Sequence, residues 1–174
     1  NWGQFIRDDG PEAHHTKRGT PTMGGIVILF AAVAGYFTAK LIDGETPSAS
    51  ALLVLFMMVG LGLIGFIDDY LKVKNQRSLG LGGWAKIGGQ GIVAVAFAIL
   101  ALQFPDEKGL TPASTSISLF RDLPLVLFFW GSFIGMALFI GWVYLLVASA
   151  SNGVNIADGL DGLASGSLVI SMGA

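Results

Sequence analysis

Residues 51–74 read ALLVLFMMVGLGLIGFIDDYLKVK, an uncharged apolar run that ends in two adjacent aspartates and two lysines. A helix needs about 20 mainly apolar residues to cross the hydrocarbon core of a bilayer. The run therefore predicts a membrane span over 49–67. Asp68 and Asp69 raise a question, because neighbouring carboxylates repel each other and each costs several kcal/mol to remove from water unless a positive partner compensates it.

The composition is that of a membrane protein. Of 174 residues, 53% are hydrophobic and only 13% are charged, and the mean hydropathy is +0.68, far from the balance of a soluble domain. The chain has no cysteine, which excludes disulfides and thiolate metal sites. A net charge of -2 and the lack of a basic stripe with interleaved aromatics predict no nucleic-acid partner.

Three further stretches have the length and apolarity of a span. The predicted transmembrane helices cover 22–42, 49–67, 86–104 and 124–150, and 163–174 begins another. The predicted fold class is thus all-α, a polytopic integral membrane helix bundle. Because the chain starts without Met and stops within an apolar run, we expect it to be an excerpt of a larger polytopic protein.

The connecting segments alternate between the two sides of the membrane. One side holds 1–21, 68–85 and 151–162, and the other holds 43–48 and 105–123. The first side and its membrane edge carry seven Lys and Arg residues, whereas the second carries three. Since positive residues are enriched in cytoplasmic loops, the first side is predicted to face the cytoplasm. All segments with unusual polar residues fall on that side.

The aspartate pair has two interpretations. Asp68 and Lys72 are four residues apart, so they can form an ordinary ion pair at a solvated helix end. Alternatively, Asp68 and Asp69 meet a Mg²⁺–diphosphate substrate or deprotonate a phosphate nucleophile at the membrane boundary. The pair alone does not separate these possibilities.

The segment SNGVNIADGLDGLASG, 151–166, is less ordinary. Asn155, Asp158 and Asp161 recur every three residues among glycines, which predicts an irregular backbone that a flat ligand can approach closely. Such side chains can bind the polar edges of a base or a ribose. A helix N-cap is the plain alternative, but it uses only one aspartate. The spacing does not fit a calcium-binding loop.

Two basic segments accompany these motifs. HHTKRGTPTMGG, 14–25, lacks the Lys-Ser/Thr of a nucleotide-binding P-loop, which excludes that motif. Its plain alternative is a basic juxtamembrane anchor for anionic lipids, which explains Lys17 and Arg18. KVKNQRSLGLGGWAK, 72–86, can bind phosphates through its lysines, although membrane topology alone also favours positive residues there.

Taken together, KRGTPTMGG, GFIDDYLK and NGVNIADGLDGLASG, in this order and on one membrane face, resemble the polyprenyl-phosphate N-acetylhexosamine-1-phosphate transferase superfamily. TPTMGG is similar to its phospho-N-acetylmuramoyl-pentapeptide transferase branch. The resemblance implies a homodimeric, Mg²⁺-dependent enzyme of the bacterial inner membrane, active at the cytoplasmic face. Such an enzyme transfers phospho-MurNAc-pentapeptide from UDP-MurNAc-pentapeptide to undecaprenyl phosphate, giving lipid I and UMP for peptidoglycan synthesis.

The resemblance also implies roles for individual residues. Asp68 and Asp69 match the paired aspartates of the family, with Asp68 as the proposed base. The residues that match its substrate-binding positions are Asn155, Asp158, Gly159, Leu160, Asp161, Lys17, Thr20, Thr22, Lys72 and Lys86. The main aspartate ligand of Mg²⁺ is expected beyond Ala174, so this excerpt alone is expected to be inactive. Gly153, Ile156 and Ala157 replace the Ala, Leu and Thr expected from the family, which are mild changes.

Three other functions are compatible with parts of the pattern. A transferase of the same superfamily could use UDP-GlcNAc as the donor. An ion-coupled transporter would place its acidic residues near the middle of a span, whereas these lie at an edge. A membrane scaffold would tolerate the change of Asp68, Asp158 and Asp161 to Asn.

Overall fold

Four helices of the computed structural model are long and apolar enough to cross a membrane. The structure describes residues 23–77, 79–106, 108–114, 116–118, 122–126, 132–158 and 162–173. Within these ranges the elements are α1 (Gly24–Asp43), α2 (Ala49–Lys74), α3 (Gly83–Ala101), β1 (Ser116–Ser118), β2 (Asp122–Val126), α4 (Ser132–Ala157) and α5 (Leu163–Gly173). The prediction of an all-α, multi-pass membrane chain is confirmed, with two short strands as an addition.

The chain divides into two compact units, Asn1–Ala113 and Ser114–Ala174. The first unit contains α1, α2 and α3, and the second contains the strands, α4 and α5. In the second unit, α4 buries Phe139 and Val143, which are one helical turn apart.

A tight turn joins α1 to α2. Gly44 caps the end of α1 in the left-handed conformation, with a φ of 68°, which glycine adopts at little cost. The Lys40 ammonium lies 2.6 Å from the Glu45 carboxylate across this turn, and their hydrogen bond lowers the pKa of Glu45 below its ordinary value. Ser48 then caps α2 by accepting a hydrogen bond from the N–H of Ala51.

Small residues allow α2 and α3 to approach each other closely. A Cβ added at Gly60 of α2 would lie 3.0 Å from the Val93 side chain, and one at Gly89 of α3 would lie 3.1 Å from Ile64. The buried residues of α3 are Gln90, Ala94, Ala98 and Ala101, which follow one face of the helix. Close contact through small residues is typical of membrane helices, where van der Waals packing drives association.

An apolar groove of about 310 Å³ lies between α1 and α2. Its walls are apolar side chains within 26–33 of α1 and 59–66 of α2. Gly62 forms part of the α1–α2 contact, where it faces Leu29. Exposed side chains of α1 such as Val27, Ile28 and Phe30 suit a hydrocarbon environment.

Several predicted boundaries differ from the structure. The predicted loop 68–85 begins too early, because α2 continues to Lys74 and includes both aspartates. The charges mark the end of the apolar run, but Asp68 and Lys72 pair along the helix and Tyr70, Leu71 and Val73 are compatible with helix. Similarly, α3 occupies Gly83–Ala101 rather than 86–104.

The predicted helix 124–150 is also wrong at both ends. Residues 122–126 form β2, which pairs antiparallel with β1 through Ser116 with Val126 and Ser118 with Asp122. Pro124 lacks the N–H that a helix interior requires, and a short apolar run has the same composition in a strand as in a helix. At the other end α4 extends to Ala157, so the predicted loop 151–162 is helical over its first seven residues.

Candidate functional site

The last two turns of α2 carry the aspartate pair. Asp68 and Asp69 are followed by Lys72 and Lys74 in the final turn. Lysines stabilise this end of a helix, because the backbone carbonyl groups give it a partial negative charge. An Asp that precedes a Lys by four residues is the favourable order on a helix surface. The local sequence thus favours a helix that continues past the two aspartates to Lys74.

Lys72 bridges the two aspartates. Its Nζ atom lies 2.7 Å from Oδ2 of Asp68 and 3.0 Å from Oδ1 of Asp69. One ammonium group therefore reduces the repulsion between two neighbouring carboxylates. The four-residue spacing predicted the first of these contacts.

Two further donors reach Asp68 from outside α2. The Nζ atom of Lys86 in α3 lies 3.1 Å from Oδ1 of Asp68, and the backbone N–H of Leu81 donates to the same oxygen at 2.7 Å. These contacts compensate the charge of a residue that is only 5% exposed. Asp68, Asp69, Lys72 and Lys86 together form what we call the ionic cluster, which is formally neutral.

Packing of α3 on α2 carries Lys86 to this position. Lys86 lies one turn before the buried Gln90 and two turns before Ala94, on the same face of α3. That face contacts α2, so the first turn of α3 directs the lysine toward Asp68. The ion pair thus depends on the tertiary contact between two helices.

The start of the loop between α2 and α3 is hydrogen bonded to the last turns of α2. The backbone N–H of Arg77 donates to the carbonyl of Lys72, and the Arg77 side chain donates to the carbonyl of Leu79. Gln76 adopts a positive φ of 49° at this turn. The loop then reverses so that Gly80 and Leu81 contact Asp68.

Sequence reasoning missed Gly80 and Leu81 as members of the site. Their contribution comes from the backbone, which residue type does not reveal. The glycines of LGLGG, 79–83, are the signal that could have indicated a close backbone approach.

The described residues contain no group of three or more His, Cys, Asp or Glu side chains that could hold a metal ion. Mg²⁺ is often held by one or two protein carboxylates together with substrate phosphates. Asp69 has the chemistry for that role, because its side chain is 40% exposed and its described contact is with Lys72.

The second predicted binding segment lies at the end of α4. Asn155 is exposed in the last turn, and Asp158 is exposed directly after the helix, with its N–H bonded to the carbonyl of Val154. The expected irregular backbone is absent over 151–157, which are helical. Gly162, with a φ of 80°, follows in the turn before α5. Asn155 and Asp158 are thus three residues apart at a helix end, open to solvent.

Lys17, Thr20, Thr22, Gly159, Leu160 and Asp161 lie outside the described residues, and so does Ala174.

Comparison with known proteins identifies relatives over the whole chain. A phospho-N-acetylmuramoyl-pentapeptide-transferase of Clavibacter sepedonicus is 64% identical, that of Kineococcus radiotolerans 55%, and that of Streptomyces avermitilis 53%. Each alignment covers 99% of this chain and 48%, 48% and 46% of the respective relative. The chain therefore spans about half the length of these curated relatives. No solved structure has significant similarity to it.

Two family models match as well. The phospho-N-acetylmuramoyl-pentapeptide-transferase signature 1 covers residues 17–29, which include TPTMGG. The glycosyl transferase family 4 model covers residues 51–174, which include both aspartate motifs. These matches confirm the resemblance that the three motifs indicated. The chain belongs to glycosyl transferase family 4.

Proposed function

We propose that the full-length protein transfers phospho-MurNAc-pentapeptide from UDP-MurNAc-pentapeptide to undecaprenyl phosphate, giving lipid I and UMP. The ionic cluster is the observation that carries this proposal. It combines two lysines and two carboxylates at the end of a membrane helix, where a lipid phosphate and a soluble nucleotide sugar can meet. The names of the relatives support the same donor.

The chemistry requires charge stabilisation more than covalent participation of the protein. An oxygen of the lipid phosphate attacks the β-phosphorus of the donor, the bond from that phosphorus to the bridging oxygen breaks, and UMP leaves. Phosphoryl transfer of this kind depends on positioning and on neutralising the phosphate charge. Lys72 and Lys86 can neutralise phosphate charge, since their side chains are 34% and 27% exposed and so remain accessible to a substrate.

Mg²⁺ is part of the proposal. Bound with the diphosphate, it would neutralise charge that develops on the leaving group. Asp69 is the carboxylate of the first unit that we assign to it, and Asp158 is a second candidate in the other unit. The protein is further proposed to act as a homodimer in the bacterial inner membrane, with the ionic cluster at the cytoplasmic face.

The test measures UMP release by the full-length protein in detergent with undecaprenyl phosphate. UDP-MurNAc-pentapeptide and UDP-GlcNAc are compared as donors, each with Mg²⁺ and with excess EDTA. We expect release from the muramoyl donor alone and its loss in EDTA. Release only from UDP-GlcNAc would assign the protein to the sister activity of the superfamily. No release from either donor by a folded protein would contradict the transferase proposal.

A variant of the ionic cluster connects the activity to this site. Lys72→Met removes the ammonium that bridges Asp68 and Asp69, so we expect UMP release to fall by more than tenfold. Lys74→Met is the matched control, because Lys74 is exposed and its described interaction is with the ring of Tyr70, 5.8 Å away. Equal activity of the two variants would show that the reaction does not depend on the ionic cluster.

A further inference from the structure

The Asp68 carboxylate is almost fully enclosed by its partners. Oδ1 receives the N–H of Leu81 and the ammonium of Lys86, and Oδ2 receives Lys72. A carboxylate oxygen offers about two lone-pair positions, so the loop and α3 occupy both positions of Oδ1. With the residue only 5% exposed, little of this carboxylate remains available to a substrate.

Gly80 is in contact with the same group. A Cβ at this position would lie 2.7 Å from the carboxyl carbon of Asp68 and 2.5 Å from its backbone oxygen. Carbon atoms are at optimal separation only near 3.5–4.0 Å, so these distances are strongly repulsive. Neither neighbour can move aside easily, because the backbone oxygen belongs to α2 and three donors hold the carboxylate. Glycine is therefore the residue that lets the loop come this close.

The position of Asp68 determines the separation of the two lysines. Lys72 belongs to α2 and Lys86 to α3, and Asp68 binds one through each of its oxygens. A shift of this carboxylate would change where both ammonium groups lie. A misplacement of about 1 Å in a catalytic site can cost on the order of 100-fold in rate.

We infer that the backbone of Gly80 and Leu81 is a positioning element that holds Asp68 as the common anchor of Lys72 and Lys86. Asp68 is thereby a positioning residue that acts through the two lysines it binds. The two lysines contact the substrate phosphates, and Asp69 is the carboxylate open to substrate and Mg²⁺. This assignment deepens the function proposed above and rests on it.

The first test compares Gly80→Ala with Gly83→Ala in the full-length protein. A Cβ at Gly83, the first residue of α3, meets nothing within 4 Å, so this variant adds the same methyl group without displacing Asp68. We expect Gly80→Ala to raise the KM for the UDP donor at least tenfold, and Gly83→Ala to stay within twofold. A purely destabilising substitution would instead lower the active fraction and leave KM unchanged. An unaltered KM in active Gly80→Ala protein would overturn the inference.

Lys86→Gln provides a second variant if Gly80→Ala does not accumulate. It removes one donor to Oδ1 of Asp68 without adding volume to the loop. We again expect a rise in KM for the UDP donor, here at least fivefold. An unchanged KM would show that the anchored lysine does not contact the donor phosphates, which contradicts the inference.

The binding of inorganic diphosphate tests the anchor role of Asp68 without relying on the proposed reaction. If the wild-type protein released no UMP from either donor, the proposed function would fail, and the anchor could still be judged by affinity. We then expect diphosphate to bind at least fivefold more weakly to Gly80→Ala than to Gly83→Ala. Equal affinities would refute the anchor independently of any activity.

Discussion

The Nζ atom of Lys86 in α3 lies 3.1 Å from the Oδ1 atom of Asp68 in α2. This contact links two membrane helices by a charge pair at the end where α2 finishes and α3 begins. It is supported by close packing further along, where Gly60 faces Val93. The candidate site is therefore built on a helix–helix interface, and changes to that interface should alter the reaction.

Loss of the Lys86 charge should weaken both activity and stability. In Lys86→Met, Oδ1 of Asp68 retains the N–H of Leu81 but loses its cation. A hydrogen bond to a charged group contributes about 1.5–3 kcal/mol to stability. Because Lys86 is also proposed to bind the donor phosphates, a loss of similar size in binding the transition state would lower UMP release about 10- to 100-fold. The melting temperature in detergent should fall by several degrees, measured by thermal unfolding of the full-length protein.

Lys40→Met is the control for this change. Lys40 pairs with the exposed Glu45 beside the turn that joins α1 to α2, and exposed ion pairs contribute little to stability. We expect neither the activity nor the melting temperature to change measurably. A loss of activity equal to that of Lys86→Met would show that the lysines act through general charge rather than through their contacts.

Enlargement of a buried alanine should separate α2 from α3. Ala94 is fully buried on the face of α3 that contacts α2, and overpacking of a close contact costs about 1–3 kcal/mol. We expect Ala94→Leu to lower the melting temperature and to reduce UMP release, because Lys86 lies on the same face two turns earlier. Ala31→Leu, on an exposed part of α1, makes the same chemical change and should have neither effect.

Asp158 should affect substrate binding without affecting stability. It is exposed after α4, so Asp158→Asn leaves no buried group unpaired. We expect the KM for the UDP donor to rise about tenfold, the effect of about 1.4 kcal/mol in binding, with an unchanged melting temperature. Ser167→Ala in α5 serves as the control, since Ser167 donates to a carbonyl one turn earlier in its own helix. A normal KM in Asp158→Asn would show that this residue does not bind the UDP donor.

The sidedness of the membrane can be tested by single cysteines, because this chain has none of its own. We expect Asn75→Cys, at the end of α2, to react with a membrane-impermeant maleimide only from the cytoplasmic side. Lys108→Cys, in the exposed connection after α3, should react only from the opposite side. Any other cysteine of the full-length protein is replaced beforehand. The reverse labelling pattern would contradict the predicted orientation.

The helical membrane class could be predicted from the sequence, because each span must satisfy its own backbone hydrogen bonds and requires a long apolar run. The two short strands could not, since a run such as 122–126 has no period that distinguishes a strand from a helix. The end of α2 was misplaced for a related reason. Charges mark where hydrocarbon ends, whereas the helix ends where its hydrogen bonds stop, at Lys74.

Part of the candidate site was also readable in the sequence. Asp68 and Lys72 are neighbours on any helix that contains both, so local geometry alone determines their contact. The tertiary structure decided the rest. It buries Asp68 and brings Lys86, Gly80 and the N–H of Leu81 to it, because the small residues of α2 and α3 let these helices pack closely and the loop between them fold back.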